Sequence, residues 1–180
     1  MTKKQKRKLI QRILIAAIIV LLAVIAVLLF FWMKDRKRVL HTQVDLSEQA
    51  AANAYIFLSQ IEENGITYAN VKEAMAEVKI DCTETPTKER GVYERKFDEG
   101  SVEKALQLAE EKFLLLYEGV LTYRLQAEGY TGNVDSDSLN RLMVDCYGIS
   151  MKEYLKSQVT LLPTAEQLRQ QYEGEVRYDQ

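Results

Sequence analysis

Hydrophobic residues are continuous from Ile13 to Met33, recur at helical spacing from Leu46 onward, and lose their period only over 81–100. The first run has 21 residues without a charge, proline or glycine. As a helix rising about 1.5 Å per residue it is roughly 31 Å long, against about 30 Å for the hydrocarbon core of a bilayer. Lipid offers no partners to backbone amides and carbonyls, so a helix, which satisfies its own, is the expected form. A secretory leader has a shorter apolar region of about 7–15 residues, followed by small residues at its cleavage site. This run ends instead in Phe30, Phe31, Trp32 and Met33, so it reads as a permanent anchor in the lipid bilayer with Trp32 at the headgroup level.

Beyond the anchor the spacing predicts a bundle of helices. Leu46, Ala50, Ala54, Phe57 and Ile61 form one face after the N-cap candidates Asp45 and Ser47, with Gly65 as the stop. Thr67 opens a second helix carrying Val71, Ala74, Met75 and Val78. Between Asp81 and Gly100 the chain is polar, contains Pro86 and has little periodicity, which reads as a loop holding at most a short strand over 92–97. Ser101 opens the strongest pattern: Val102, Leu106, Ala109, Phe113, Leu116, Val120, Tyr123 and Ala127 repeat at alternating intervals of four and three up to Gly129. A second stripe of Leu114, Tyr117, Leu121 and Leu125 widens the apolar face, as a helix packed on two sides requires.

Ser136 or Asp137 caps the next helix, with Leu139, Leu142, Met143 and Cys146 on one face and Gly148 as its stop. Ser150 with Glu153, and Thr164 with Gln167, form capping boxes that open two more, the first carrying Met151, Tyr154, Leu155 and Val159 and the last Leu168 and Tyr172. The expected fold is therefore all-α. It comprises a basic cytoplasmic N-terminus (1–12), a transmembrane helix (13–33), a juxtamembrane linker (34–45) and one helical domain (46–180), which has a long central helix and the loop 81–100. Nothing between Lys34 and Val44 breaks a helix, so continuation of the membrane helix into the linker stays open.

Charge adds an orientation. Six Lys and Arg precede the span and four follow it, which favours a cytoplasmic N-terminus and an extracytoplasmic domain. Those ten leave 14 Lys plus Arg against 25 Asp plus Glu in residues 39–180, a net charge of −11. Such a body is repelled by anionic lipid and by phosphates, so it stands off the membrane and nucleic-acid binding is disfavoured. Its 142 residues suffice for one core. In an oxidising compartment Cys82 and Cys146 could pair, worth about 4 kcal/mol in the chain-entropy model. The other reading is two independent thiols, since Cys146 falls on an apolar stripe.

Candidate chemistry is sparse. His41, the single histidine, lies in a basic segment eight residues past the span, where a solvated linker residue is the simplest expectation. Asn133, Asp135 and Asp137 alternate like the start of a calcium loop, but Ser138 stands where glycine is required and Val144 where a bidentate glutamate is required. Acidic capping of a helix N-terminus accounts for them. Glu62 with Glu63, and Glu110 with Glu111, are helix neighbours that cannot face each other. No glycine-rich phosphate loop, metal-spaced His/Cys cluster or nucleophile elbow occurs. Neither an enzymatic activity nor a cofactor or metal is expected.

The order of punctuation from Lys112 to Tyr172 says more. Glu128 to Val134 with Ser136, then Tyr147 and Gly148, then Ser150 to Leu155, and finally Thr164, Glu166, Leu168 and Tyr172 resemble the helical chaperone arm shared by the C-terminal region of trigger factor and the N-terminal regions of SurA- and PrsA-type foldases. The sequence stops at Gln180, about where a parvulin-type isomerase domain begins in the foldases, so isomerase activity is not implied. The resemblance implies a concave apolar cradle that holds unfolded chains without ATP, lined here by Phe113, Leu116, Tyr117, Val120, Tyr123, Met143, Tyr147 and Tyr154. An ordinary helical core would use the same positions, although tyrosines and Met143 suit an adaptable, partly wet surface. Two functions are expectations: an anchored binder of polypeptide clients and, alternatively, a partner subunit of a membrane complex whose long helix pairs through its heptad-like stripe. An open apolar groove between the long helix and the two after it favours the first.

Overall fold

The structure is a computed structural model and describes residues 3–35, 38–62, 64–132 and 134–178. Helix α1 (Lys3–Asp35) runs through the apolar segment. Its stretch Leu14–Phe31, with a mean hydropathy of 3.5 and none of it buried, is long and apolar enough to cross a membrane. Arg36 and Lys37 of the basic collar, Glu63 and Asn133 lie outside the described residues, as does the side chain of Trp32.

The body has two layers. In chain order it comprises β1 (Leu40–Asp45), α2 (Ser47–Ser59), α3 (Tyr68–Ala74), β2 (Lys79–Pro86), β3 (Val92–Phe97), α4 (Ser101–Ala127), α5 (Ser136–Tyr147), α6 (Met151–Gln158), α7 (Ala165–Tyr172) and β4 (Gly174–Arg177). The strands form one antiparallel sheet in the order β1-β2-β3-β4. Val44 on β1 and Ile80 and Cys82 on β2 point into the helical core, while His41, Gln43, Asp81, Glu94 and Lys96 are exposed. A sheet with one packed and one wet face is the usual antiparallel arrangement.

The all-α expectation is thus incorrect for the body. Residues 40–45 of the expected linker are a strand; 81–100 holds most of a β-hairpin; and β4 follows Tyr172. Within the expected loop, the short strand over 92–97 coincides with β3. The physical reason is visible on β2, whose inward row is Ile80, Cys82 and Glu84. A glutamate in a buried position erases the period-two signal, and its partners come from other strands.

The helix punctuation fares differently, because caps are local. Thr67 accepts from Asn70 N–H, and both capping boxes, Ser150 with Glu153 and Thr164 with Gln167, are formed. Gly148 ends α5 in the left-handed region at φ 71. Three positions differ. The N-cap of α2 is Leu46, rather than Asp45 or Ser47. Asp135, rather than Ser136 or Asp137, is the N-cap of α5, its carboxylate accepting from Ser138 N–H at 2.8 Å. Helix α2 ends at Ser59, well before Gly65, and Gly65 instead admits the Tyr123 ring, which a Cβ there would meet at 3.1 Å.

Ala50, Ala51 and Ala54 are fully buried on α2. Their small side chains let it lie close to the core, and Phe57 at its end meets the rings of Phe113 and Tyr117 at 5.7 and 6.0 Å. Helix α4 buries Val102, Ala105, Ala109, Phe113, Tyr117 and Val120, so much of its heptad-like stripe is spent inside its own domain. Leu139 and Met143 of α5, Met151 and Leu155 of α6, and Leu168 of α7 complete the same core. Each fully buried side chain of this size contributes about 1.5–3 kcal/mol.

Candidate binding surfaces along the long helix

The eight residues expected to line a cradle divide into two groups. Phe113, Tyr117, Val120 and Met143 are buried in the core. Burial, with smaller effects from Tyr154 and Tyr147, pushes the Tyr117 phenol up to about 12. Leu116 and Tyr154 are half-buried, and Tyr123 and Tyr147 are exposed. The rings of Tyr147 and Tyr154 lie 5.2 Å apart, joining α5 to α6. Sequence spacing finds the stripe but not its buried side, since a wide apolar face has no edge until its neighbours are placed.

Two concavities flank α4. One is lined by Gly65, Ile66, Val71, Leu115, Leu116, Gly119, Val120 and Tyr123, with Glu62 and Asn70 at its rim, and holds about 270 Å³. Cations of α4 fix its walls: Lys112 Nζ donates to Ala74 O at 2.9 Å, and an Arg124 guanidinium N–H donates to Ile61 O at 3.1 Å. The first is the last carbonyl of α3 and the second lies just past the C-cap of α2, near helix ends where a positive charge is favoured. Gly119 is exposed and sits mid-helix, and a Cβ built on it meets nothing within 4 Å. Glycine at such a position costs about 0.5–1 kcal/mol relative to alanine. No packing demand explains it, and it stands in the lining of the groove.

The second concavity, about 290 Å³, lies between α4 and α6. Ala109, Phe113, Leu155, Leu161 and Leu162 form its buried floor, and Leu106, Leu114 and Val159 its half-buried walls. Asn53 on α2 donates through its side-chain amide to Thr160 O at 3.2 Å and Leu161 O at 3.0 Å, which holds the floor in place. At the mouth, Glu110 meets Lys156 at 3.0 Å and Lys152 at 3.5 Å.

Exposed large side chains continue past both grooves. Leu115 is 67% exposed and Tyr147 61%, and Leu142, Val144 and Ile149 are also exposed. Cys146, on the same helix, is an exposed free thiol, whereas Cys82 is a buried free thiol whose pKa burial pushes up. The Cys82–Cys146 pairing left open by the sequence is not formed, because one partner is inside the sheet and the other on the surface of α5.

A polar cluster on the sheet had no signal in the sequence. Glu84 has 0% side-chain exposure and faces Arg95 Nε at 2.7 Å. Thr42 Oγ1 donates to it at 3.0 Å, and the Tyr178 hydroxyl lies 2.8 and 2.9 Å from its two oxygens. Burial alone raises the pKa of such a carboxyl; hydrogen bonds from Tyr178, Arg95 and Thr42 outweigh it and hold Glu84 below the ordinary 4.5. Both oxygens have protein donors, so the cluster binds strands to each other rather than a ligand. On the opposite face Thr83 Oγ1 donates to Asp98 at 2.6 Å and lies 3.5 Å from His41 Nδ1. Among the described residues no group of three His, Cys, Asp or Glu could hold a metal ion.

No family model matches this chain, and neither a curated protein nor a solved structure does. The likeness to the foldase arms rests on the quoted motifs alone.

Proposed function

We propose that this chain is a membrane-anchored, extracytoplasmic polypeptide-binding protein that assists the folding or assembly of secreted or membrane proteins by contact, without an isomerase step. The observation that carries the reading is the groove beside Gly119. A stable helix gives up about 0.5–1 kcal/mol there where a side chain has room, and the opening lies among exposed Leu115 and Tyr123. Exposed apolar surface of this kind on an otherwise acidic, soluble body serves association. The −11 net charge keeps the body off anionic lipid and leaves that surface free to meet a chain. Binding alone accounts for the residues present.

The test is light scattering by a chemically unfolded client, with the full-length protein in nanodiscs of neutral lipid. Suppression of aggregation is expected, together with its loss in Gly119→Leu, which fills the groove while circular dichroism stays unchanged. Equal scattering with and without the protein overturns the reading. The alternative, a partner subunit joined through the long helix, would have to use the exposed residues of α4, because Phe113 and Val120 of the stripe face its own core.

A further inference from the structure

We infer that the α4–α6 trough is a subsite for an apolar side chain flanked by carboxylates, so that clients are chosen for acidic-apolar segments. This rests on the polypeptide-binding reading and specifies what that surface accepts. Size argues for a side chain: about 290 Å³ falls just below the range of about 300–1,000 Å³ that encloses a whole small ligand. One or two large side chains fill it. The floor is apolar and pre-formed, since Asn53 ties down the carbonyls of Thr160 and Leu161 before anything arrives. Pre-organisation of this sort lowers the ordering cost of binding.

Charge argues for the flank. In a body of net charge −11 the mouth of this trough carries two ammonium groups against one carboxylate. Lys152 and Lys156 both lean on Glu110, and Lys152 is the more loosely held, at 3.5 Å against 3.0 Å. A carboxylate brought in beside the apolar side chain completes the pairing of Lys152, while an incoming cation meets two like charges. Electrostatic matching of this kind sets specificity more than affinity.

The experiment uses the full-length protein in phosphatidylcholine nanodiscs and fluorescein-labelled twelve-residue peptides with a central Leu-Phe pair, flanked by Glu, Gln or Lys. Fluorescence anisotropy should show the Glu-flanked peptide binding about tenfold more tightly than the Lys-flanked one. Lys152→Glu with Lys156→Glu should reverse that order, Lys152→Gln with Lys156→Gln should abolish it, and Lys152→Arg with Lys156→Arg should keep it. Flank-independent binding, with client aggregation still suppressed, overturns the subsite while leaving the proposed function standing. Failure to bind any peptide together with failure to suppress aggregation overturns both. Dodecanoate binding with the same lysine dependence, where peptides show none, assigns the trough to a free anionic amphiphile and overturns the inference.

Discussion

Two regions of this body place side chains against the usual rule of apolar inside and polar outside, and they do so in opposite ways. In the sheet Glu84 is buried, yet Thr42, Arg95 and Tyr178 donate to it from β1, β3 and the residue after β4. Leu115 of α4 is exposed in the lining of the groove beside Gly119, and Leu142 and Tyr147 are exposed on α5. The first exception closes on itself: β1, β3 and the residue after β4 each send a partner, and the cluster joins the two ends of the body to its central hairpin. The second remains open. Buried polarity that is satisfied holds a fold in one arrangement, whereas exposed apolar surface is available to something outside it.

The sharpest way to break the comparison is within one helix. Phe113→Ala should cost about 3–5 kcal/mol, as large core truncations do, measured by urea unfolding of the full chain in micelles. In the sheet, Arg95→Ala should cost about 3 kcal/mol, at the low end for a broken buried pair because the Arg95 side chain keeps 18% exposure. Replacing both partners, Glu84→Leu with Arg95→Met, should recover part of that loss. If the double variant is as unstable as the single one, the cluster's value is not a matter of leaving a charge unpaired.

Acid probes the same cluster. Because the folded pKa of Glu84 lies below its ordinary 4.5, its contribution is present above the unfolded value and is lost as pH falls through the folded one. The wild type should therefore lose stability on acidification more steeply than Glu84→Gln, as followed by near-ultraviolet circular dichroism. On the other side of the comparison Gly119→Ala should raise stability by about 0.5–1 kcal/mol, since the added Cβ has open space. Smallest of all, Leu115→Ser should change stability by less than about 0.5 kcal/mol while weakening peptide binding. A Leu115 variant that unfolds the body, or one that binds peptide unchanged, would dissolve the distinction between core and contact surface.

Legibility followed the range of the interactions. Thr67, Ser150 and Thr164 cap their helices as their neighbours three residues on dictate. The long helix was readable from its unbroken spacing, and its predicted opening at Ser101 coincides with the start of α4. The strands were not, apart from the segment over 92–97. On β1 the inward row is Leu40, Thr42 and Val44, and on β2 it ends in Glu84, so neither alternates cleanly. Of the positions expected to line a cradle, Tyr123 and Tyr147 are exposed, whereas Phe113, Tyr117, Val120 and Met143 are buried, Phe113 at the floor of the α4–α6 trough and Val120 in the lining of the groove beside Gly119; Leu115, Gly119 and Leu142 carried no distinguishing mark in the sequence.

What the sequence determined by itself is local: an apolar helix long enough to cross a membrane, the caps at Thr67, Ser150 and Thr164, the long stripe, and the separation of a basic collar from an acidic body. Each depends on residues within a few turns of one another, where spacing and cap chemistry act directly. Tertiary structure alone decided that a sheet exists and which side of the stripe stays open. β1 and β4 lie at opposite ends of the body, and the buried charge of Glu84 becomes tolerable only when strands distant in the chain bring it donors. A side chain's exposure, likewise, is a property of the neighbours that arrive.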